Sequence, residues 1–81
     1  MNRNEFLKIK DTPCKFKFRG GKEVFGVVWE NNFGDRLMHY FSTAADRMRY
    51  KIAEGLNDRH TCDRLKTPVE LEDIVLAEPL A

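Results

Sequence analysis

A mainly β chain folding as one small barrel with one or two short helices is what this sequence predicts, and three observations predict it. Residues Cys14 to Arg19 alternate apolar and basic without a fault, the signature of a strand with one buried and one wet face. Gly20-Gly21 follows as a turn, and the next extended segment, Glu23 to Glu30, carries Gly26 in its middle, where a strand bends hard or another backbone comes close. Eighty-one residues leave room for one domain only, and a chain of that size buries about 60–65% of the surface it exposes when unfolded. Small modules of this kind often lean on a partner or a second copy.

Taken in order, Asn2 or Asn4 is placed to cap a short helix running to Lys10, with Phe6, Leu7 and Ile9 turning inward. Asp11, Thr12 and Pro13 end it, because these are turn formers and the residue before proline avoids the helical region. In the first strand Cys14, Phe16 and Phe18 point to the core while Lys15, Lys17 and Arg19 point to water. Gly20 and Gly21 supply the positive φ angles of a two-residue hairpin. The second strand is apolar on both faces. Asn31 to Asp35 reads as a turn by composition, and Leu37 to Phe41 as a third strand.

Residues 43–56 take two readings. As a helix, Ser42 or Thr43 caps it, Asp46 complements its N-terminus, Gly55 lies near its end, and Ala45, Met48, Ile52 and Leu56 form the inward stripe. As a strand, Arg47 to Ile52 alternates cleanly. The caps and the two alanines favour the helix. Residues 57–67 are polar and aperiodic and read as a loop holding at most one helical turn. Pro68 restarts an extended segment, and Glu72-Asp73 turns it into a closing strand that ends at Pro79.

This order resembles the Sm-like branch of the small SH3-like barrels. Locally, the family places a glycine in its second strand and then an aspartate, two variable residues, a hydrophobe or methionine, and an asparagine. Here Gly26 is followed by Asp35-Arg36-Leu37-Met38-His39, with histidine at the asparagine position. The resemblance implies an orienting role for Asp35, a core role for Met38 and an RNA-base contact for His39. Two departures accompany it: Gly26 and Asp35 are nine residues apart, more than the family spacing, and the family's Arg-Gly pair before the last strand is replaced by Leu71-Glu72-Asp73-Ile74.

Charge narrows the function classes. Charged residues make up 33% of the chain and net to +1, so overall charge gives no push toward nucleic acid. Locally, residues 8–22 carry +5 and residues 67–81 carry −4. That polarity reads either as neighbouring strands pairing their charges or as a basic face for an anionic partner. No apolar run approaches the roughly 18 residues of a membrane span, and residues 1–6 lack the apolar core of a signal peptide. Two cysteines, Cys14 and Cys62, spaced by no zinc or redox motif, suit a reducing, cytoplasmic setting.

His60-Thr61-Cys62 has neither metal-ligand spacing nor a recognisable base-and-nucleophile arrangement, and Gly20-Gly21-Lys22 lacks the helix a phosphate loop needs. No cofactor and no enzymatic activity is therefore expected. Two function classes stay open. One is a protein-interaction or assembly module, pairing with itself or with another protein. The other is a module for single-stranded RNA or DNA in which Lys15, Lys17 and Arg19 meet phosphates, Phe33, Tyr40 and His39 meet bases, and Asp35 orients the contact as the resemblance implies. Phe33 and Tyr40, at or near a turn, are the aromatics expected to be exposed.

Overall fold

The computed structural model describes residues 1–80. Its elements are α1 (Arg3–Ile9), β1 (Cys14–Phe18), β2 (Glu23–Phe33), β3 (Arg36–Ser42), α2 (Ala44–Gly55), α3 (Arg59–Leu65), β4 (Thr67–Val69), a single 3-10 turn at Leu71–Asp73, and β5 (Ile74–Pro79). The strands form one antiparallel sheet in the order β4-β3-β2-β1-β5.

The long strand β2 organises the sheet by changing partners halfway. Its first part pairs with β1, ending at Cys14↔Gly26, and its second part pairs with β3, starting at Val27↔Ser42. Gly26 therefore falls where the strand hands over from one neighbour to the next. A Cβ there would clash with the Ser42 carbonyl oxygen and lie 2.5 Å from Phe41 Cε2. Only glycine lets the β3 backbone approach this closely.

The sheet does not close into the predicted barrel: β4 and β5 stand at opposite edges of the order. Two local features account for the opening. β4 is three residues long and one of them is Pro68, which has no N–H to donate to a ladder. The chain then turns through Leu71–Asp73 directly into β5, which is taken up by β1.

Two cores lie on opposite faces. On one, α1 brings Phe6 and Ile9 onto Cys14, Phe16, Val28 and Ile74. Asn2 caps this helix by accepting from the Glu5 amide, but Leu7, expected inside, is exposed. On the other, the α2–α3 hairpin covers Trp29 and Tyr40 with Tyr50, Ala53 and Cys62. The alternation of β2 feeds both: Val28 enters the first core and Trp29 the second.

Several expected boundaries shift. Asn31 to Phe33 continue β2, so the second hairpin turns on Gly34-Asp35 alone, with Phe33↔Arg36 as its last pair and Gly34 at φ 67°. The first hairpin is longer than two residues, since Phe18 donates to Lys22 O and Gly21 to Phe18 O, though Gly20 and Gly21 do take positive φ. Residues 59–65, expected as a loop, form α3: Asp58 caps it by accepting from the Thr61 amide and hydroxyl. Asn57, at φ 58°, provides the left-handed step between the two helices.

Helix α2 exists as the caps predicted, with Thr43 accepting from the Asp46 amide, but it is rotated from the expected face. Tyr50 and Ala53 are buried, whereas Met48, Ile52 and Leu56 are 69%, 65% and 75% exposed. The second core is aromatic rather than aliphatic, which explains the rotation. The Arg47 guanidinium lies 4.0 Å over the Trp29 ring, and the Lys66 ammonium 4.5 Å over Tyr40. A cation stacked on an aromatic face is a favourable inward residue, so Arg47 and Tyr50 define the inner side.

Candidate interaction surfaces

The residues expected to touch nucleic acid fall in four separate places. Lys15, Lys17 and Arg19 stand on the face of β1 away from α1. Lys15 Nζ sits 3.7 Å from both Glu23 and Glu78. Arg19 donates to the Glu72 carbonyl at 2.9 Å and lies 3.7 Å from Asp73. The basic strand and the acidic C-terminal segment are thus neighbours in the sheet, and much of the local charge is met within the chain. Lys17 is exposed and has no ion pair among the described residues.

Phe33 and Asp35 are at the far tip of the β2–β3 hairpin, both exposed. Tyr40, expected to be exposed, is buried, only 7% exposed, against Trp29 and beneath Lys66. Its position opposite Trp29 in the β2–β3 register turns it into the second core, so its ring faces are occupied.

His39 lies on the other side of β3, beside α1. Its Nε2 is 3.0 Å from Glu30 Oε2 and its ring meets Phe6 edge-on with centroids 5.0 Å apart. Arg3 completes the group with two hydrogen bonds to the Glu30 carboxylate, at 3.0 and 3.1 Å. These bonds hold the Glu30 carboxyl below the usual carboxylate range; burial opposes the shift and His39 adds to it. Met38, from the same motif, packs at the edge of the second core.

A cleft of about 680 Å3 opens between the tip of the β2–β3 hairpin and the α2–α3 pair, lined among others by Asn32, Phe33, Glu54, Arg59 and Asp63. Its charges are mixed. Cys62 lines it too, but burial pushes that thiol up, and its Sγ is directed to the Tyr50 carbonyl, 3.9 Å away. Cys14, also raised by burial, lies in the other core. The two thiols are therefore kept apart on opposite faces and both are poor nucleophiles. Among the described residues no three His, Cys, Asp or Glu side chains gather as a metal site, and no helix is long and apolar enough to cross a membrane.

Uncovered apolar side chains form the remaining surface features. Val75, Leu76 and Leu80 are exposed on and just beyond β5, an edge strand. Met48, Ile52 and Leu56 line the outer side of α2, although their spacing predicts a core stripe. Comparison with known proteins adds nothing to these surfaces: no family model, curated protein or solved structure matches the chain.

Proposed function

We propose that the chain is a non-catalytic interaction or assembly module on an Sm-like, SH3-like scaffold, pairing with itself or with another protein. The observation that carries this reading is the open sheet with an apolar edge. β5 is hydrogen-bonded to β1 only, runs for six residues, and presents Val75 and Leu76, with Leu80 following. An exposed apolar edge strand is a ready template for pairing. The scaffold reading is supported by the helix-first element order, the close approach of β3 to Gly26 in β2 and the sheet order β4-β3-β2-β1-β5.

Light scattering over a wide concentration range, with amide hydrogen exchange read at β5, tests the proposal. Mass above the monomer with concentration-dependent protection of β5 amides is expected, and a ring of six or seven copies would favour the Sm-like form. A persistent monomer with freely exchanging β5 amides, with no added partner changing either, overturns the reading.

The second reading, an Sm-like module for single-stranded nucleic acid, is favoured by one observation: the exposed Phe33 ring and Arg59 line the same cleft, and an aromatic and a cation in one groove suit a base and its phosphate.

A further inference from the structure

Trp29, Asn31 and Phe33 share one face of β2, because alternate residues of a strand point the same way. Along that face Trp29 lies in the second core, Asn31 is half-buried, and Phe33 is exposed. On the helical side Tyr50 and Glu54, one turn apart, share a face of α2, and Arg59 opens α3 just past the connecting turn. All of these except Trp29 line the cleft of about 680 Å3, a volume within the roughly 300–1,000 Å3 of small-molecule sites. Strand and helix are tied together here by Asn31, whose side-chain amide donates to the Tyr50 hydroxyl at 3.4 Å. That hydroxyl keeps its own proton for a further acceptor.

Five charged side chains line the cleft, and three of them are engaged already. Asp58 accepts from the Thr61 amide and hydroxyl, and Asp63 lies 3.7 Å from Lys66. Among the described residues Glu54 and Arg59 have no ion pair, with each other or with any other group. Arg36, opposite Phe33 in the register, is not among the lining residues. The unengaged groups are thus one carboxylate, one guanidinium and one exposed ring. A phosphate would meet Arg59 but also the repelling charge of Glu54. A ligand that satisfies both carries both charges, and one that also covers Phe33 carries a ring.

We propose that the cleft binds a free aromatic α-amino acid, its ring on Phe33, its ammonium group at Glu54 and its carboxylate at Arg59. This goes beyond the assembly reading and does not depend on it. A chain terminus or an internal peptide segment offers one of the two charges or neither, so the free zwitterion is the form that the pair selects.

Chemical-shift titration of isotope-labelled protein tests it with three ligands: L-phenylalanine, phenethylamine, which lacks the carboxylate, and phenylpropionate, which lacks the ammonium group. L-phenylalanine is expected to shift the amides of Asn31, Phe33, Glu54 and Arg59, and each truncated ligand to bind at least about tenfold more weakly, the loss of one charge-assisted contact. Arg59→Gln should bring L-phenylalanine down to the affinity of phenethylamine and leave phenethylamine unchanged. Glu54→Gln should do the same with respect to phenylpropionate, and Phe33→Thr should weaken all three. These positions are exposed, and an unchanged melting temperature for each variant establishes that the fold is kept. L-phenylalanine that shifts no cleft amide at millimolar concentration overturns the proposal, as do charge variants that weaken the full and truncated ligands alike. A nucleoside monophosphate that binds where L-phenylalanine does not, and binds more tightly to Glu54→Gln, also overturns it and gives the cleft to the nucleic-acid reading. None of these failures touches the assembly reading, which light scattering decides separately.

Discussion

At the scale of single residues, Gly26 is the most legible position in the sequence, because a glycine inside a strand apolar on both faces marks a bend or a close backbone approach. Its Cβ would meet the Ser42 carbonyl and the Phe41 ring, so even Gly26→Ala is expected to destabilise, and Gly26→Val by more than about 2 kcal/mol, the upper range of overpacking. Urea denaturation with an unchanged m-value measures it; an alanine variant as stable as wild type would contradict the close approach. Glu30 is not legible, since its partner Arg3 lies 27 residues away in the chain and only the docking of α1 brings them together. Because the folded carboxyl titrates below its usual value of 4.5, the unfolded chain binds the proton first. The stabilisation is therefore complete above that value and is lost as pH falls through the lower, folded one. Glu30→Gln should cost about 1 kcal/mol at neutral pH, given how exposed Arg3 is, and the gap between variant and wild type should shrink below pH 4.5. A gap independent of pH would mean that the carboxylate charge is not what holds α1.

Elements are legible in existence more than in orientation. Thr43 and Asp46 mark the start of α2 by a mechanism local to the sequence, and that mechanism holds. Which side faces inward is decided by what it packs against, and here the counterpart is Trp29 and Tyr40, delivered by the two preceding strands. Aliphatic residues at helical spacing select the outer stripe, because such a pattern gives no weight to a stacked arginine. The contrast is measurable: Tyr50→Ala is expected to cost about 3 kcal/mol, as for other buried aromatics, while Ile52→Ala, read on the monomer, should fall within about 0.5 kcal/mol of wild type. Equal costs would return the helix to the predicted face. α3 is hidden for a different reason, its seven residues being too short and polar to show a period, yet Asp58 ahead of Thr61 is a usable start signal. Asp58→Ala should fray the start of α3, seen as faster amide exchange at Thr61 and Cys62.

On the scale of the whole molecule, closure and charge are what the sequence leaves undecided. A three-residue β4 containing Pro68 offers too little ladder to reach β5, and composition alone does not reveal how long a strand will be once its partners are set. The opposed charges of residues 8–22 and 67–81 meet as Lys15–Glu78 and Arg19–Asp73 across the β1–β5 pair. That pairing argues against a basic face held open for phosphates, and it makes a quantitative prediction. For a labelled single-stranded RNA, the salt dependence of affinity measures phosphates neutralised, each removing about 0.7 from the slope. With Lys15 held between Glu23 and Glu78 and Arg19 turned to Glu72 and Asp73, Lys17 alone of the three is unengaged among the described residues. Binding is therefore expected to be weak even at low salt, and changing Lys15 and Lys17 together to alanine should flatten the slope by the value of one phosphate contact, not two. His39→Ala should leave the slope unchanged while lowering the melting temperature, because its ring is engaged with Glu30 and Phe6. Tight binding with a steep slope, lost in the double lysine variant, would displace the assembly reading in favour of nucleic acid.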